Sequence, residues 1–459
     1  MSATIKQFRK KAKDTIEDNR LQIALEDATG RFREARVMAL NALEDAEGLR
    51  DQFKKIRGAT IANLAEYLET FERNAIKAGA KVHWATNDQE ATRIVVEIAQ
   101  AHNVNLVVKS KSMTTEEIQL NHALTAAGII PVETDLGEWI VQLADESPSH
   151  IIAPAIHKTK EQVAALFEKV LSKPVPADIP SLTLEARGIL RDKFLAAEMG
   201  ISGANLGVAE TGSIVIVTNE GNGRMVTSLP PVHVVVMGIE KIAPTWDEAA
   251  VWLALLARSA TGQPLSIYTN IITGPAQSID PDGPQEVHIV LLDNNRSKYL
   301  GTEYEEVLRC IRCGACLNVC PVYREAGGHA YGSPYSGPIG AVISPLLFGL
   351  KSYAALPQAS SLCGACLDVC PVRIDIPRMV LSLRRDERER GILPIFYRLT
   401  ERWAGWVLSQ QKTYERLAGL VRWLRATKII QLFIKTRLPE LAGRSFREMW
   451  ESGDVEEQS

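Results

Sequence analysis

The chain has 459 residues, of which 46% are hydrophobic and 23% charged, and its formal net charge is −3. These are ordinary globular values, so they exclude collagen, extended disorder and a free-standing nucleic-acid binder. The length allows two to four domains with ample buried cores. Cysteine placement is the unusual feature, because all seven cysteines lie between Cys310 and Cys370. An odd, clustered count is typical of a metal site in a reducing compartment rather than of a disulfide framework.

The N-terminal sequence MSATIKQFRKKAKDTIEDNR contains basic residues but neither an apolar segment nor a small-residue cleavage site. We therefore expect no secretory signal. No stretch approaches the roughly 18 uninterrupted apolar residues that a bilayer-spanning helix needs. Both observations favour a cytoplasmic location.

Two regions with different patterns precede the cysteines. Residues 1–75 lack proline and are rich in Ala, Leu, Glu, Lys and Arg, which predicts amphipathic helices. Residues 60–300 alternate short β-rich runs such as NLVVKS and IIPVET with helical stretches, which predicts an α/β domain with a mostly parallel sheet. Later runs such as SIVIVT and HVVVMGI should join the same sheet or one packed against it.

The cysteine region, residues 301–380, contains two near-identical groups. The first, Cys310-Ile-Arg-Cys313-Gly-Ala-Cys316-Leu-Asn-Val-Cys320-Pro, fits the C-x2-C-x2-C-x3-C-P run of bacterial ferredoxins. The second group, Cys363-Gly-Ala-Cys366-Leu-Asp-Val-Cys370-Pro, is nearly a copy of it. In two-cluster ferredoxins the fourth cysteine of such a run binds the other cluster. We therefore predict two [4Fe–4S] clusters, the first held by Cys310, Cys313, Cys316 and Cys370, and the second by Cys320, Cys363 and Cys366.

The second cluster lacks one predicted cysteine ligand. Alignment of the two groups puts Ser360 where the first cysteine of the second group would stand. Ser360 or Ser361 could supply an oxygen ligand, a small molecule could bind there, or the cluster could contain three irons. The alternative to iron–sulfur chemistry is structural zinc, but seven cysteines with only His329 nearby fit zinc poorly.

Other candidate sites are less specific. The glycine-rich segments 203–213 and 219–224 flank a strand, so they either form a ligand-binding loop at a sheet edge or are plain turns. For Lys109-Ser-Lys111-Ser we expect a solvated loop rather than an anion site. His122, His157 and His233 have no partner at metal-ligand spacing, and we expect structural roles for them. No catalytic residue is identified.

The tail, residues 381–459, is basic and amphipathic. Residues 384–447 contain 15 Lys or Arg against 6 Asp or Glu, and four of the eight tryptophans lie at 403, 406, 423 and 450. Apolar residues recur at helical spacing in this region, which suits a partner protein, a membrane surface or the body of the protein itself.

The chain resembles the lactate utilization protein B family over essentially its full length. The segments VKSKSMTTEEIQLNHAL, PVETDLGEWIVQL and ETGSIVIVTNEGNGR resemble the family's lactate-utilization domain, whose fold is similar to the ribose-phosphate isomerase and CoA-transferase sheets. The double cysteine group resembles the family's ferredoxin-type module, including its missing eighth cysteine. The basic tail with its tryptophans also resembles the family's C-terminal region.

The resemblance implies an iron–sulfur subunit that carries electrons in the oxidation of L-lactate to pyruvate, with other subunits of the system as partners. Substrate oxidation is then expected in a partner subunit or a shared site. Two alternatives stay open. The α/β domain could itself bind and oxidise lactate or another small acid, or the protein could be a redox scaffold or sensor. Peripheral membrane contact through the basic tail is a further hypothesis.

Overall fold

The computed structural model describes residues 3–426, 444 and 446–453, and the chain divides into two compact units, Met1–Glu389 and Arg390–Ser459. Within the described residues, no helix is both long and apolar enough to cross a membrane. The first unit contains N-terminal helices, an α/β domain and the cysteine module. The described part of the second unit is helical.

The proline-free N-terminal sequence forms four helices. They are α1 Ile5–Glu17, α2 Asn19–Asn41, α3 Ala46–Ala62 and α4 Leu64–Lys77. Thr4 and Gln7 form a capping box at the start of α1, and the Asp18 carboxylate accepts hydrogen bonds from two backbone N–H groups at the start of α2. Such caps satisfy N–H groups that have no partner within the helix, so they define where each helix begins.

Ten strands follow in the α/β domain. They are β1 Lys81–Ala85, β2 Leu106–Lys109, β3 Ile130–Glu133, β4 Met199–Ser202, β5 Leu206–Val208, β6 Ser213–Thr218, β7 Val232–Gly238, β8 Ile242–Ala243, β9 Tyr268–Ile272 and β10 Glu286–Leu292. Eight helices connect them: α5 Asp88–Ala101, α6 Met113–Glu117, α7 Leu120–Ala126, α8 Leu136–Leu143, α9 Lys160–Leu171, α10 Ile179–Ala196, α11 Asn222–Ser228 and α12 Trp246–Ala260.

The strands form two sheets. The larger has six parallel strands in the order β1-β10-β7-β4-β2-β3. The smaller has the order β8-β5-β6-β9, with β5 parallel to β8 and antiparallel to β6. The predicted α/β class with a mostly parallel sheet is confirmed. The later apolar runs divide between the two sheets, with β7 and β10 in the larger and β6 and β9 in the smaller.

Strand β7 shows why the large sheet is buried on both faces. Val234 and Val236 pack in one apolar cluster with α5 and α7, whereas Val235 and Met237 pack in another with α4. Side chains alternate between faces along a strand, so a continuous apolar run fits a parallel sheet that is covered on both sides. Each such side chain contributes about 1.5–3 kcal/mol through burial.

The cysteine module consists of short helices after β10. Its α-helices are α13 Ala315–Val319, α14 Pro321–Ala326, α15 Gly337–Phe348, α16 Ala355–Gln358, α17 Ala365–Asp368 and α18 Ile376–Glu389. Three 3-10 helices lie at Ser297–Tyr299, Glu305–Arg309 and Gly328–Tyr331. The second unit contains α19 Ile395–Leu408, α20 Gln411–Ala426 and α21 Phe446–Glu451.

Candidate functional site

Four cysteines surround one small cavity in the module. Cys310, Cys313, Cys316 and Cys370 line a space of about 20 Å³, and all four are buried. Positive backbone φ angles at Arg312 (60°) and Gly314 (76°) turn the loop so that its consecutive thiols converge. The structure thus brings the last cysteine of the second group beside three cysteines of the first.

Backbone N–H groups point at the sulfur atoms. Arg312 N donates to Cys310 Sγ at 3.4 Å, Ile374 N donates to Cys370 Sγ at 3.4 Å, and Tyr323 N donates to Cys320 Sγ at 3.5 Å. Such hydrogen bonds stabilise charge on sulfur, and in iron–sulfur proteins they tune the reduction potential.

Burial makes these thiols poor acids when they stand alone. Burial, with smaller contributions from neighbouring cysteines, raises the pKa of Cys313 to about 12 and that of Cys370 to about 11. Thiolates at such positions need cationic partners, which the irons of a cluster provide. Four buried sulfurs around a small space, with N–H donors behind them, therefore fit a cubane cluster.

The other three cysteines form a neighbouring group nearer the surface. Cys320 caps the end of α13, which packs against α17 and its Cys366. Burial, with smaller contributions from the charges of Cys320 and Cys363, raises the pKa of Cys366 to about 12. Cys363 is exposed and Cys320 and Cys366 are half-buried. Hydrogen bonds from the Ala365 backbone and the Ser361 hydroxyl lower the pKa of Cys363.

Ser360 occupies the position in the second cysteine loop that Cys310 occupies in the first. Its hydroxyl oxygen accepts a hydrogen bond from Leu362 N at 3.3 Å, as the Cys310 sulfur does from Arg312. Leu362 has a φ of 56° and Gly364 a φ of 86°, close to the values of Arg312 and Gly314. The two loops therefore share a backbone conformation, with oxygen in place of sulfur at one position.

Arginines of the N-terminal helices donate hydrogen bonds to the cysteine module. The sequence did not predict these contacts. Arg50 donates to the carbonyl oxygens of Asp368 and of Cys370, the latter at 2.9 Å. Arg36 donates to Val369 O at 2.8 Å, and the buried Arg57 donates to Leu308 O at 3.0 Å. A guanidinium with several fixed donors suits such carbonyl clusters. The sequence signal was only a set of arginines among apolar residues on α2 and α3.

A buried ion network joins the α/β domain to the cysteine loop. Arg296 donates to Glu117 at 2.7 Å and to Glu240 at 2.7 Å, and all three side chains are buried. Arg312, between two cluster cysteines, pairs with Glu240 at 3.2 Å. The Arg312 guanidinium also lies 4.9 Å from the ring centre of Tyr335, whose hydroxyl donates to Glu117 at 2.5 Å. The loop that carries Cys310 and Cys313 is therefore anchored to the sheet domain.

A larger cavity of about 370 Å³ lies beside this loop. The ends of β2, β4 and β7 provide part of its wall, with Lys111, Gly203 and Lys241, and the cysteine loop provides Arg312 and Cys313. This is the carboxyl edge of the parallel sheet, where open α/β sheets bind ligands. The glycine-rich segments 203–213 and 219–224 both contribute residues to it.

The expected solvated loop after β2 is wrong. Lys109 is 1% exposed and pairs with Glu133 at 2.5 Å, and Lys111 donates to Ile152 O at 2.6 Å. The apolar run before Lys109 continues as a buried strand of the parallel sheet, so its terminal lysine is enclosed and requires a carboxylate partner.

His233 and His157 have structural contacts. His233 is buried and contacts Ser202 Oγ at 2.8 Å, and His157 contacts Glu146 at 2.6 Å. His122 is exposed. Within the described residues, no group of three or more His, Cys, Asp or Glu side chains is arranged to hold a single metal ion.

A parallel α/β domain fused to a module with two neighbouring cysteine groups defines an iron–sulfur protein of the redox-subunit class. A LUD domain family matches residues 68–292, and a 4Fe-4S dicluster domain family matches residues 306–374. Lactate utilization protein B of Bacillus subtilis is 45% identical, with 89% of this chain and 86% of that protein covered. The Bacillus licheniformis protein of the same name is 44% identical, with 90% and 87% covered. The chain therefore belongs to the lactate utilization protein B family.

A further relative comes from Escherichia coli. It carries the name "Uncharacterized electron transport protein YkgF" and is 42% identical, with 98% of this chain and 97% of that protein covered. The resemblance stated from the sequence is confirmed, and the presence of a 4Fe-4S dicluster domain agrees with the predicted iron–sulfur chemistry.

Proposed function

We propose that this protein is the iron–sulfur electron-transfer subunit of a system that oxidises L-lactate to pyruvate. The observation that carries the proposal is the convergence of Cys310, Cys313, Cys316 and Cys370 on one small cavity, with the other three cysteines in the same module. The relatives named lactate utilization protein B support the metabolic role, and the E. coli relative's name supports electron transport. These names favour electron transfer over a redox sensor or a free-standing lactate oxidase.

The proposed ligand sets follow the two groups. Cys310, Cys313, Cys316 and Cys370 would hold cluster one, and Cys320, Cys363 and Cys366 would hold cluster two. The fourth position of cluster two would belong to Ser360, because its hydroxyl lies where Cys310 Sγ lies in the matching loop. When bound, such clusters supply one-electron transfer.

The burial of the cysteines gives the two sites different roles. The cysteines of cluster one are buried, whereas Cys363 of cluster two is exposed. Helix α13, which contains Cys316, packs against α17, which contains Cys366, so the two sites are adjacent. We therefore assign electron exchange with a partner protein to the Cys363 side of the module. Other components of the lactate utilization system would be those partners, and one of them would supply substrate oxidation.

Anaerobic purification of the full chain tests the proposal. We expect a brown protein with about eight irons, on the basis of two four-iron clusters, and EPR signals of reduced clusters. L-Lactate should reduce the clusters only when the other components are present. A colourless, zinc-loaded protein would contradict the assignment of clusters. Clusters that stay oxidised with lactate and all components present would contradict the metabolic role.

We further propose that the second unit contacts an anionic membrane surface. In α19, Phe396, Leu399, Trp403 and Trp406 are exposed large apolar side chains, and basic residues predominate in this part of the sequence. Aromatic side chains beside basic ones are typical of helices that lie in a membrane interface.

Co-sedimentation of the full chain with vesicles containing phosphatidylserine tests this proposal. Co-sedimentation should occur, and it should be lost when Trp403 and Trp406 are both changed to Ser. Equal binding by that variant would contradict the proposal. Trp450, at the end of the tail, lies on α21.

A further inference from the structure

The 370 Å³ cavity beside the first cysteine loop has the size and position of a ligand site. Small-molecule pockets typically measure 300–1,000 Å³, so this cavity exceeds what a single inorganic anion needs. Cys313 lines it, which places any occupant against a proposed ligand of cluster one. The cavity also lies at the carboxyl ends of β2, β4 and β7, which are neighbouring strands of the large sheet.

Lys241 provides an ammonium group that lacks a protein partner. The residue follows β7, is 6% exposed and lines the cavity. Among the described residues, none forms a side-chain hydrogen bond or close ion pair with it, although Glu240 lies next to it in the chain. That carboxylate is already bound by Arg296 and Arg312. Burial lowers the pKa of Lys241 to about 7, because a buried ammonium is costly unless it is paired, and an anion in the cavity would stabilise the charged form.

Arg312 adds a second cation in a fixed position. Its guanidinium is held by Glu240 at 3.2 Å and by the Tyr335 ring at 4.9 Å, and it lines the same cavity. A guanidinium fixed by its neighbours can bind a carboxylate without the entropic cost of ordering a flexible side chain. Lys241 and Arg312 thus form a cationic end of the cavity, next to Cys313.

The rest of the cavity wall includes Lys111 and the carboxylates of Asp135 and Glu220 as well as uncharged polar groups. The hydroxyl of Ser110 is buried, lines the cavity and has no hydrogen-bond partner within the described part of the chain. Asn205, Thr218 and Asn222 lie in the same wall. These groups suit hydroxyl or oxo substituents on a ligand whose anionic group lies at the cationic end.

We propose that this cavity binds a polar organic acid, with its carboxylate at Lys241 and Arg312 and its hydroxyl or oxo group toward Ser110. The proposal concerns binding and includes no chemical step. It rests on the proposed function only for the presence of cluster one, because the cavity and its charges belong to the chain itself. A bound carboxylate beside Cys313 adds negative charge near the cluster, which disfavours its reduction and lowers its potential.

The test uses the anaerobically purified, cluster-loaded full chain. Isothermal titration calorimetry with L-lactate, pyruvate and inorganic phosphate should show saturable binding of at least one organic acid, with phosphate weaker. Binding should fall about ten- to a hundredfold in Lys241→Gln, the loss expected for one charge-assisted hydrogen bond. Lys54→Gln is the matched control, because Lys54 is exposed on α3, and it should bind as the wild type does.

Redox titration of cluster one gives an independent readout. The bound acid should lower its potential in the wild type and leave it unchanged in Lys241→Gln. Ser110→Ala is a smaller change and should also weaken binding. It provides a second test if Lys241→Gln proves unstable.

The absence of binding by both acids at millimolar concentration would overturn the proposal, as would tighter binding of phosphate than of either acid. A chain that contains both clusters but binds neither acid would refute this inference and leave the proposed function intact. A chain without clusters that still binds pyruvate through Lys241 would refute only the function.

Discussion

Ser360 and Cys310 occupy matching positions in two loops of the same conformation. Leu362 N donates to Ser360 Oγ at 3.3 Å, and Arg312 N donates to Cys310 Sγ at 3.4 Å. The internal duplication therefore extends to the residue that differs. With the proposed ligand sets, the second cluster would have oxygen rather than sulfur at one corner.

Changes at Ser360 should alter cluster two selectively. Ser360→Cys supplies an eighth thiolate, so we expect a cluster that resists loss of iron during mild oxidation. Ser360→Ala removes the oxygen, so the EPR signal of a three-iron cluster should appear more readily than in the wild type. Ser361→Ala is the control and should leave four irons in place. Equal iron loss from Ser360→Ala and wild-type protein would show that Ser360 is not a ligand.

Cys370 and Cys320 should each affect the cluster of the other group. Cys370 lies beside Cys310, Cys313 and Cys316, so Cys370→Ser should remove cluster one and leave cluster two. Cys320→Ser should do the reverse. Each variant should retain about four of eight irons, and EPR should show different residual signals. If Cys320→Ser instead removed the cluster held by Cys310, the proposed ligand sets would be incorrect.

Loss of one carboxylate from the buried ion network should destabilise the first unit. Glu117 binds Arg296 with both oxygens, at 2.8 Å and 2.7 Å, and both side chains are buried. Glu117→Gln leaves a buried guanidinium with one carboxylate partner fewer, and we expect a loss of about 3–5 kcal/mol in the free energy of unfolding. Urea denaturation measures it. The exposed Glu69→Gln is the control, with a change within about 0.5 kcal/mol. A similarly small change in Glu117→Gln would mean that the network contributes little.

Acid should destabilise the fold through His233. Burial, with a smaller contribution from the charge of His288, lowers the pKa of His233 to about 3. In the unfolded chain its pKa is about 6.5, so the unfolded state binds a proton first as the pH falls. The associated stability is present above about pH 6.5 and is lost progressively between there and about pH 3.

The measurement is urea denaturation at pH 7.5 and pH 5. Wild-type protein should lose about 2 kcal/mol more over this interval than His233→Gln, whose side chain does not titrate. The exposed His122→Gln should show the wild-type pH dependence. Parallel losses in wild type and His233→Gln would show that His233 is not the group responsible.

The spacing of residues along the chain was enough to predict the cysteine motifs and the parallel sheet. The near-copies GACLNVCPV and GACLDVCPV predict two clusters, and their alignment locates the substitution at Ser360. Such motifs survive as sequence signals because the loop geometry of each cysteine group depends on a few adjacent residues. Alternating apolar runs and helical stretches likewise predict the parallel sheet, since side-chain periodicity follows from each element alone.

Only the tertiary structure could decide which distant groups meet. Arg50 reaches the carbonyl of Cys370, Arg296 binds Glu117, and Lys241 lies in a cavity with Cys313. Nothing near these residues in the sequence marks the contact, and Lys109 was expected in solvent although it is buried. The desolvation cost of a buried charge and the partner that offsets it arise only when the α/β domain, the N-terminal helices and the cysteine module pack together.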